Sequence, residues 1–131
     1  MQEQQLEWEQ KKLDAIAKSV TNFINGLNEN LGSSYGINSI ISIIEGLIKD
    51  DVYLYLVDEK FLMQKYSLNK YRAKRVYDRL YLPSNLSKYE VVAVVAYSQQ
   101  TGKYYRFIIE TTYDYVLFNV KVERLGHEEV Y

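Results

Sequence analysis

The first quarter of the chain carries one amphipathic pattern. Residues 3–31 place apolar side chains three or four positions apart, as on one face of an α-helix. The apolar positions are Leu6, Leu13, Ile16, Ala17, Val20, Phe23, Ile24, Leu27 and Leu31. Gly32 predicts the helix end, because glycine readily adopts the left-handed conformation. Four of these positions are spaced by seven residues: Leu6, Leu13, Val20 and Leu27. The stripe can therefore cover the chain's own core or form the seam of a dimer.

Three further elements are predicted between Ser39 and Tyr66. Ser39 is placed to cap a second helix, "IISIIEGLIKD", which is apolar on most sides and is expected to be the central buried helix. Residues 52–57 are β-branched, aromatic or aliphatic and predict a short buried strand. Asp58 then predicts the cap of a helix from Glu59 to about Tyr66.

The next segment predicts two helices separated by a tight turn. The turn is "SLN", and Asn69 is expected to cap a fourth helix that runs to about Tyr81. Apolar residues of that helix, Ala73, Val76, Tyr77 and Leu80, fall on one face. The opposite face is basic.

The pattern changes to alternation after residue 88. Residues 89–97, "YEVVAVVAY", are apolar on both faces and predict a central strand. The polar loop 98–103 predicts a hairpin into a second strand, 104–112, with Tyr105, Phe107 and Ile109 on one face. A last strand is predicted over 115–124, with four residues pointing inward: Val116, Phe118, Val120 and Val122. The tail "LGHEEVY" is expected to be loose.

Together these elements predict a single α+β domain over residues 1–131. Its parts are an N-terminal helix (1–32), a core (38–112), and an extra strand and tail (113–131). The three C-terminal strands are expected to form an antiparallel sheet.

Charge is nearly balanced in total but strongly segregated. The formal net charge is −1. Residues 1–59 carry four basic and ten acidic side chains, whereas residues 60–79 carry seven basic and one acidic. Residues 80–131 carry five and six. Asymmetry of this kind points to a charged partner.

The segment "LMQKYSLNKYRAKRVYDRL" resembles the helix-turn-helix of DNA-binding domains. Leu62 and Met63 take the positions that pack the first helix, and Leu68 takes that of the aliphatic residue after the turn. The element order from residue 38 (helix, strand, helix, turn, helix, hairpin) is similar to that of a winged helix. One departure is Ser67, which stands where such turns often have glycine.

The resemblance implies that the helix 69–81 reads the major groove of double-stranded DNA. Its expected contacts are Lys70, Tyr71, Arg72, Lys74, Arg75 and Arg79. The loop 98–103 would be the wing, with Gln99, Gln100 and Lys103 as candidate contacts. A homodimer through the N-terminal helix would match paired half-sites. Asp78 is expected to pair with Lys74, four residues before it.

Two other interpretations stay open. The basic helix can face an acidic surface, either on this protein or on a partner. The 14 tyrosines also suit a small structural or inhibitory interaction protein, because tyrosine is common at protein interfaces. Few prolines, no cysteine and abundant Ile, Tyr, Glu and Lys resemble proteins of hyperthermophilic archaea and their viruses.

Catalytic signatures are missing from the sequence. With no cysteine, neither a thiolate metal site nor a disulfide can form. The single histidine, His127, is expected to be a solvated tail residue. No enzyme activity, cofactor or metal is expected. The short apolar runs and the polar N-terminus predict a soluble cytoplasmic protein without a membrane span.

Overall fold

The computed structural model describes residues 2–126 and Val130. The helices are α1 (Gln2–Asn30), α2 (Ile37–Asp50), α3 (Glu59–Tyr66) and α4 (Lys70–Tyr81), and the strands are β1 (Leu54–Leu56), β2 (Glu90–Ser98), β3 (Tyr104–Thr111) and β4 (Phe118–Arg124). The α+β class is therefore confirmed. His127 lies outside the described residues.

The predicted caps of α3 and α4 are confirmed. Asp58 Oδ1 accepts a hydrogen bond from the Phe61 N–H at 2.7 Å, and Asn69 Oδ1 accepts one from the Arg72 N–H at 2.9 Å. Each side chain satisfies an N–H that has no partner within the first helical turn.

Three predicted boundaries were wrong. Helix α2 begins at Ile37, two residues before Ser39. Its N-cap residue is Gly36, which has no side chain that could accept a capping hydrogen bond. Strand β1 has only three residues and lies at the sheet edge, so it is shorter than the predicted 52–57. Strand β4 begins at Phe118, and Val116 is exposed in the preceding loop. The sequence predicted a longer β4 because apolar and polar residues also alternate within that loop.

The sheet has four antiparallel strands in the order β1-β2-β3-β4. Strand β1 pairs with β2, Leu54 opposite Ser98, and so extends the three C-terminal strands that the sequence predicts. Strand β2 is central, as expected. A bulge between Val92 and Val94 places one extra residue in β2, which shifts its facing pattern.

Helices cover both faces of this sheet. On one face, α1 and α2 pack against Tyr105, Phe107 and Ile109 of β3, as the alternation predicts. On the other face, α3 and α4 pack against Tyr104 and Ile108. Because α2 lies across the sheet from α3 and α4, the winged-helix core is not confirmed.

Polar side chains of α1 bond the outer edge of β4. Asn25 donates to the Phe118 carbonyl at 2.8 Å and accepts from the Phe118 N–H at 3.2 Å. The Val120 N–H donates to the Thr21 hydroxyl at 3.0 Å. These bonds use groups that an open edge would offer to another strand.

The apolar stripe of α1 is only partly buried. Leu13, Ala17, Val20 and Ile24 are in the core. Phe23, predicted on the same stripe, is 57% exposed.

The tail that the sequence predicts to be loose has two buried side chains among its described residues, Leu125 and Val130.

No helix in the described part of the chain combines the length and apolarity that a membrane crossing needs.

A buried carboxylate joins α1 to the β2–β3 hairpin. Glu9 is 2% exposed. Its Oε1 accepts hydrogen bonds from Thr101 Oγ1 at 2.6 Å and from the Tyr105 hydroxyl at 2.7 Å, and its Oε2 accepts one from Ser98 Oγ. Burial and the neighbouring carboxylate raise the pKa of Tyr105. The phenol therefore stays protonated as a donor.

We predict that Glu9→Ala lowers the free energy of unfolding by about 2–4 kcal/mol, because three hydroxyl donors lose a charged acceptor in a buried site. Glu9→Gln keeps one carbonyl acceptor and should cost about half as much. Urea denaturation measures both. Glu7→Ala, on the exposed side of the same helix, is the control and should change stability by less than about 0.5 kcal/mol. Equal effects from Glu9→Ala and Glu7→Ala would contradict the role of this contact.

Candidate nucleic-acid interface

The turn between α3 and α4 has the geometry of a tight helix end. Ser67 adopts the left-handed conformation, with φ 53° and ψ 40°. The Leu68 N–H donates to the Met63 carbonyl at 3.1 Å, which closes the turn. The replacement of the usual glycine by serine therefore leaves a left-handed turn in place, at a conformational cost of about 1 kcal/mol.

Helix α4 is divided into an apolar and a basic side. Ala73 and Leu80 are buried, and Val76 and Tyr77 are half-buried against the same core cluster. All six residues predicted as contacts are exposed: Lys70, Tyr71, Arg72, Lys74, Arg75 and Arg79. The predicted division of the helix is thus found in the structure.

A buried arginine holds the C-terminal end of α4. Arg106 of β3 is 3% exposed, and its Nε donates to the Leu80 carbonyl at 2.9 Å. Its Nη2 donates to the Arg79 carbonyl at 3.4 Å. Its Nη1 lies 3.6 Å from Glu123 of β4. A cation at this end satisfies carbonyls that lack helical partners and complements the helix dipole.

A tyrosine anchors the same end to β1 and β2. The Tyr81 hydroxyl donates to the Val57 carbonyl and accepts from the Val95 N–H, each at 2.9 Å. Burial raises the pKa of Tyr81 above its ordinary value. The Tyr77 ring stacks on Tyr81 with centroids 4.2 Å apart. Burial, with Glu59, Asp58, Glu45 and Asp78 nearby, also raises the pKa of Tyr77.

The basic side of α4 makes few internal contacts. Lys74 pairs with Asp78 at 3.3 Å, as the spacing predicts. Arg75 lies 5.9 Å from the centre of the Tyr71 ring, and Arg79 donates to the Val130 carbonyl at 3.2 Å. Among the described residues, no ion pair joins these cations to an acid of residues 1–59. An internal acidic partner for α4 is therefore not found there.

Two adjoining clefts lie beside the helix pair α3–α4. The first, the arginine cleft, has a volume of about 460 Å³ and is lined by Tyr66, Leu68, Arg72, Arg75, Val76, Arg79 and Val130. The second, the lysine cleft, has about 260 Å³, and its lining includes Lys65, Tyr66, Tyr97, Lys103, Tyr104 and Val130. Tyr66 and Val130 line both. No local pattern in the sequence indicates the clefts, because they depend on where Val130 lies relative to α3 and α4.

The predicted wing is divided between two regions. Lys103 lines the lysine cleft near α3. Gln99 and Gln100 are exposed in a turn tied to other elements: the Gln99 N–H donates to the Tyr53 carbonyl at 2.8 Å, and Thr101 bonds Glu9 of α1. The structure therefore places Lys103, but neither glutamine, in the lining of the lysine cleft.

We predict that Tyr81→Phe lowers the free energy of unfolding by about 2–3 kcal/mol, because the Val57 carbonyl and Val95 N–H lose their shared partner. Urea denaturation followed by circular dichroism measures the change. Tyr77→Phe is the matched control, since that half-buried hydroxyl makes neither bond, and should cost less than about 0.5 kcal/mol. A Tyr81→Phe variant as stable as Tyr77→Phe would show that α4 does not need this anchor.

No family model, curated protein or solved structure matches the chain, so its own residues and their geometry carry the functional proposal.

Proposed function

We propose that the protein binds DNA through the basic side of α4, as a non-enzymatic regulator of transcription or genome handling in the cytoplasm. The observation that carries this proposal is the exposure of Lys70, Arg72, Lys74, Arg75 and Arg79 on one short helix. Each phosphate that such a cation neutralises releases counterions, which favours binding.

The geometry of the helix pair α3–α4 supports binding in the major groove of duplex DNA. Its tight left-handed turn and two side-chain caps support the hypothesis that α4 is the second helix of a helix-turn-helix. In that motif the second helix enters the major groove. Arginine offers a planar fork that suits guanine edges or phosphates. The mechanism would be occupancy of a site, with no chemistry and no cofactor.

We predict that removing four cations of α4 weakens duplex binding at least a hundredfold. The variant replaces Lys70, Arg72, Lys74 and Arg75 with Gln. All four are exposed, so the fold should be retained. The slope of log affinity against log salt concentration should fall by about 3 to 4 units, because each lost phosphate contact removes about 0.9. Fluorescence anisotropy with a 24-base-pair duplex at several salt concentrations measures both.

The control removes four exposed lysines elsewhere: Lys11, Lys18, Lys49 and Lys88. Lys12 is unsuitable, because it forms an ion pair with Asp51 at 2.6 Å. The control should lose less than fivefold in affinity. Equal losses in both variants would indicate a diffuse charge effect, and wild-type protein that binds no duplex at low salt would refute the proposal.

A second candidate function, assembly through a protein interface, is favoured by an apolar end surface. It comprises Phe23, Tyr35, Val91, Tyr115 and Val116, all exposed. Four of them line a groove of about 900 Å³ between the α1–α2 loop and the β3–β4 loop, and Phe23 lines an adjoining cleft together with Tyr35. Exposed apolar surface of this kind marks interaction sites. We propose a homodimer there, which would present two copies of α4.

The burial of part of α1 changes the residues through which this helix would form a dimer. Two of its four heptad positions, Leu13 and Val20, are buried in the chain's own core. They cannot also contact a partner. The N-terminal helix would contribute through Phe23, near its C-terminal end, instead.

We predict a dimer of about twice the chain mass of 15.5 kDa in sedimentation equilibrium at micromolar concentration. Phe23→Glu should shift it to monomer, because a charge would be buried in the interface. Leu82→Glu, at another exposed apolar side chain, should leave the dimer intact. A wild-type monomer would refute the homodimer, and dissociation by both variants would place the interface elsewhere.

A further inference from the structure

The cations of α4 form two separate rows. Arg72, Arg75 and Arg79 are spaced by three and four residues, so they lie along one side of the helix over about 10 Å. Lys70 and Lys74 are spaced by four and lie on another side. Only the arginine row lines the arginine cleft.

The lining of the arginine cleft suits a nucleotide. Three guanidinium groups offer bidentate donors for phosphate oxygens. Leu68, Val76 and the Tyr66 side chain give the rest of the lining an apolar character that suits a base or sugar. No described lining residue is acidic. The volume of about 460 Å³ is within the range of small-ligand sites.

The shape of the cleft favours an unpaired strand over a duplex. A duplex presents a convex outer surface, with its bases turned inward, and can touch only the rim of such a cleft. An unpaired strand can place phosphate and base inside together. Proteins that bind single strands combine a positive groove with aromatic and apolar contacts to the bases.

The lysine cleft continues the arginine cleft beyond Tyr66 and Val130. It adds the cations Lys65 and Lys103. Lys65 lies 4.4 Å from the centre of the Tyr97 ring, which holds it in position. Together the two clefts are lined by five cations, which is more than the phosphate of one nucleotide can engage and favours a polymer over a free nucleotide.

An exposed aromatic ring stands beside the arginine row. Tyr71 is 70% exposed, and Arg75 of the cleft lies 5.9 Å from its ring centre. A base leaving the cleft could stack on this ring, since stacking on aromatic side chains tolerates any base.

We propose that the arginine and lysine clefts form one binding path for an unpaired DNA strand, with phosphates on the arginine row and a base on Tyr71. This inference rests on the proposed function, because both require DNA to bind at α4. It adds a second form of the ligand: both rows of α4 meet duplex, whereas the unpaired strand meets the arginine row and the lysine cleft but not the lysine row.

Two double variants test the division. Lys65→Gln with Lys103→Gln should weaken binding of a 12-nucleotide oligothymidylate about tenfold and of a 24-base-pair duplex less than threefold. Lys70→Gln with Lys74→Gln should show the reverse pattern. Anisotropy at one fixed salt concentration measures all four affinities. Circular dichroism checks that each variant is folded.

Further variants examine the length of the path and the stacking contact. The same Lys65 and Lys103 variant should leave binding of a 4-nucleotide strand within threefold, whereas Arg72→Gln with Arg75→Gln should weaken binding of that short strand at least tenfold. Tyr71→Ala should weaken strand binding about tenfold, whereas Tyr71→Phe, which keeps the ring, should not. Thymidine monophosphate at 1 mM should not displace the 12-nucleotide strand.

Contrary outcomes identify which proposal fails. If the Lys65 and Lys103 variant and the Lys70 and Lys74 variant weaken both ligands equally while duplex still binds, the strand path is wrong and DNA binding stands. Duplex binding without strand binding has the same meaning. Displacement by thymidine monophosphate would replace the path with a single-nucleotide site. If wild-type protein binds neither duplex nor strand, both proposals fall together.

Discussion

The burial of β2 and β3 on both faces is the constraint on which the rest of the structure depends. Tyr105, Phe107 and Ile109 face one side of β3, and Tyr104 and Ile108 face the other, all buried. A sheet with two apolar faces needs a layer on each, because exposed apolar area costs about 25 cal/mol per Å². Helices α1 and α2 cover one face. The helix pair α3–α4 must then cover the other, with its apolar side inward and its basic side toward solvent.

Buried polar groups fix how each layer sits. Glu9 ties α1 to the β2–β3 hairpin, while Arg106 and Tyr81 tie the end of α4 to the sheet. Each group meets partners that would otherwise be buried without hydrogen bonds, which is costly. The direction and rotation of α4 are thereby set by contacts remote from its basic side. That side can present cations to a ligand without having to stabilise the fold.

This separation explains how a nearly neutral chain can offer a positive surface. The basic residues of 60–79 lie on two helices of one layer, and their spacing divides those of α4 into rows. Val130 lies beside the arginine row and lines the cleft there. The apolar end surface includes Phe23, near the C-terminal end of α1, and none of its residues belongs to α4. DNA binding and assembly would therefore use different parts of the molecule.

The sequence by itself determined the elements whose signals are local. It predicted α1 from its period, α3 and α4 from the caps Asp58 and Asn69, and the exposure of Arg72 and Arg75 from their side of the helix. It could not determine the layer in which each helix lies, since an apolar stripe packs equally well on either face of a sheet. It also left open whether the stripe of α1 covers the core or forms a dimer seam, and only the structure shows that Leu13 and Val20 are buried while Phe23 is exposed. The clefts and the buried contacts of Glu9 and Arg106 join residues dozens of positions apart. Only tertiary packing could decide them, because no local pattern records which distant segments meet.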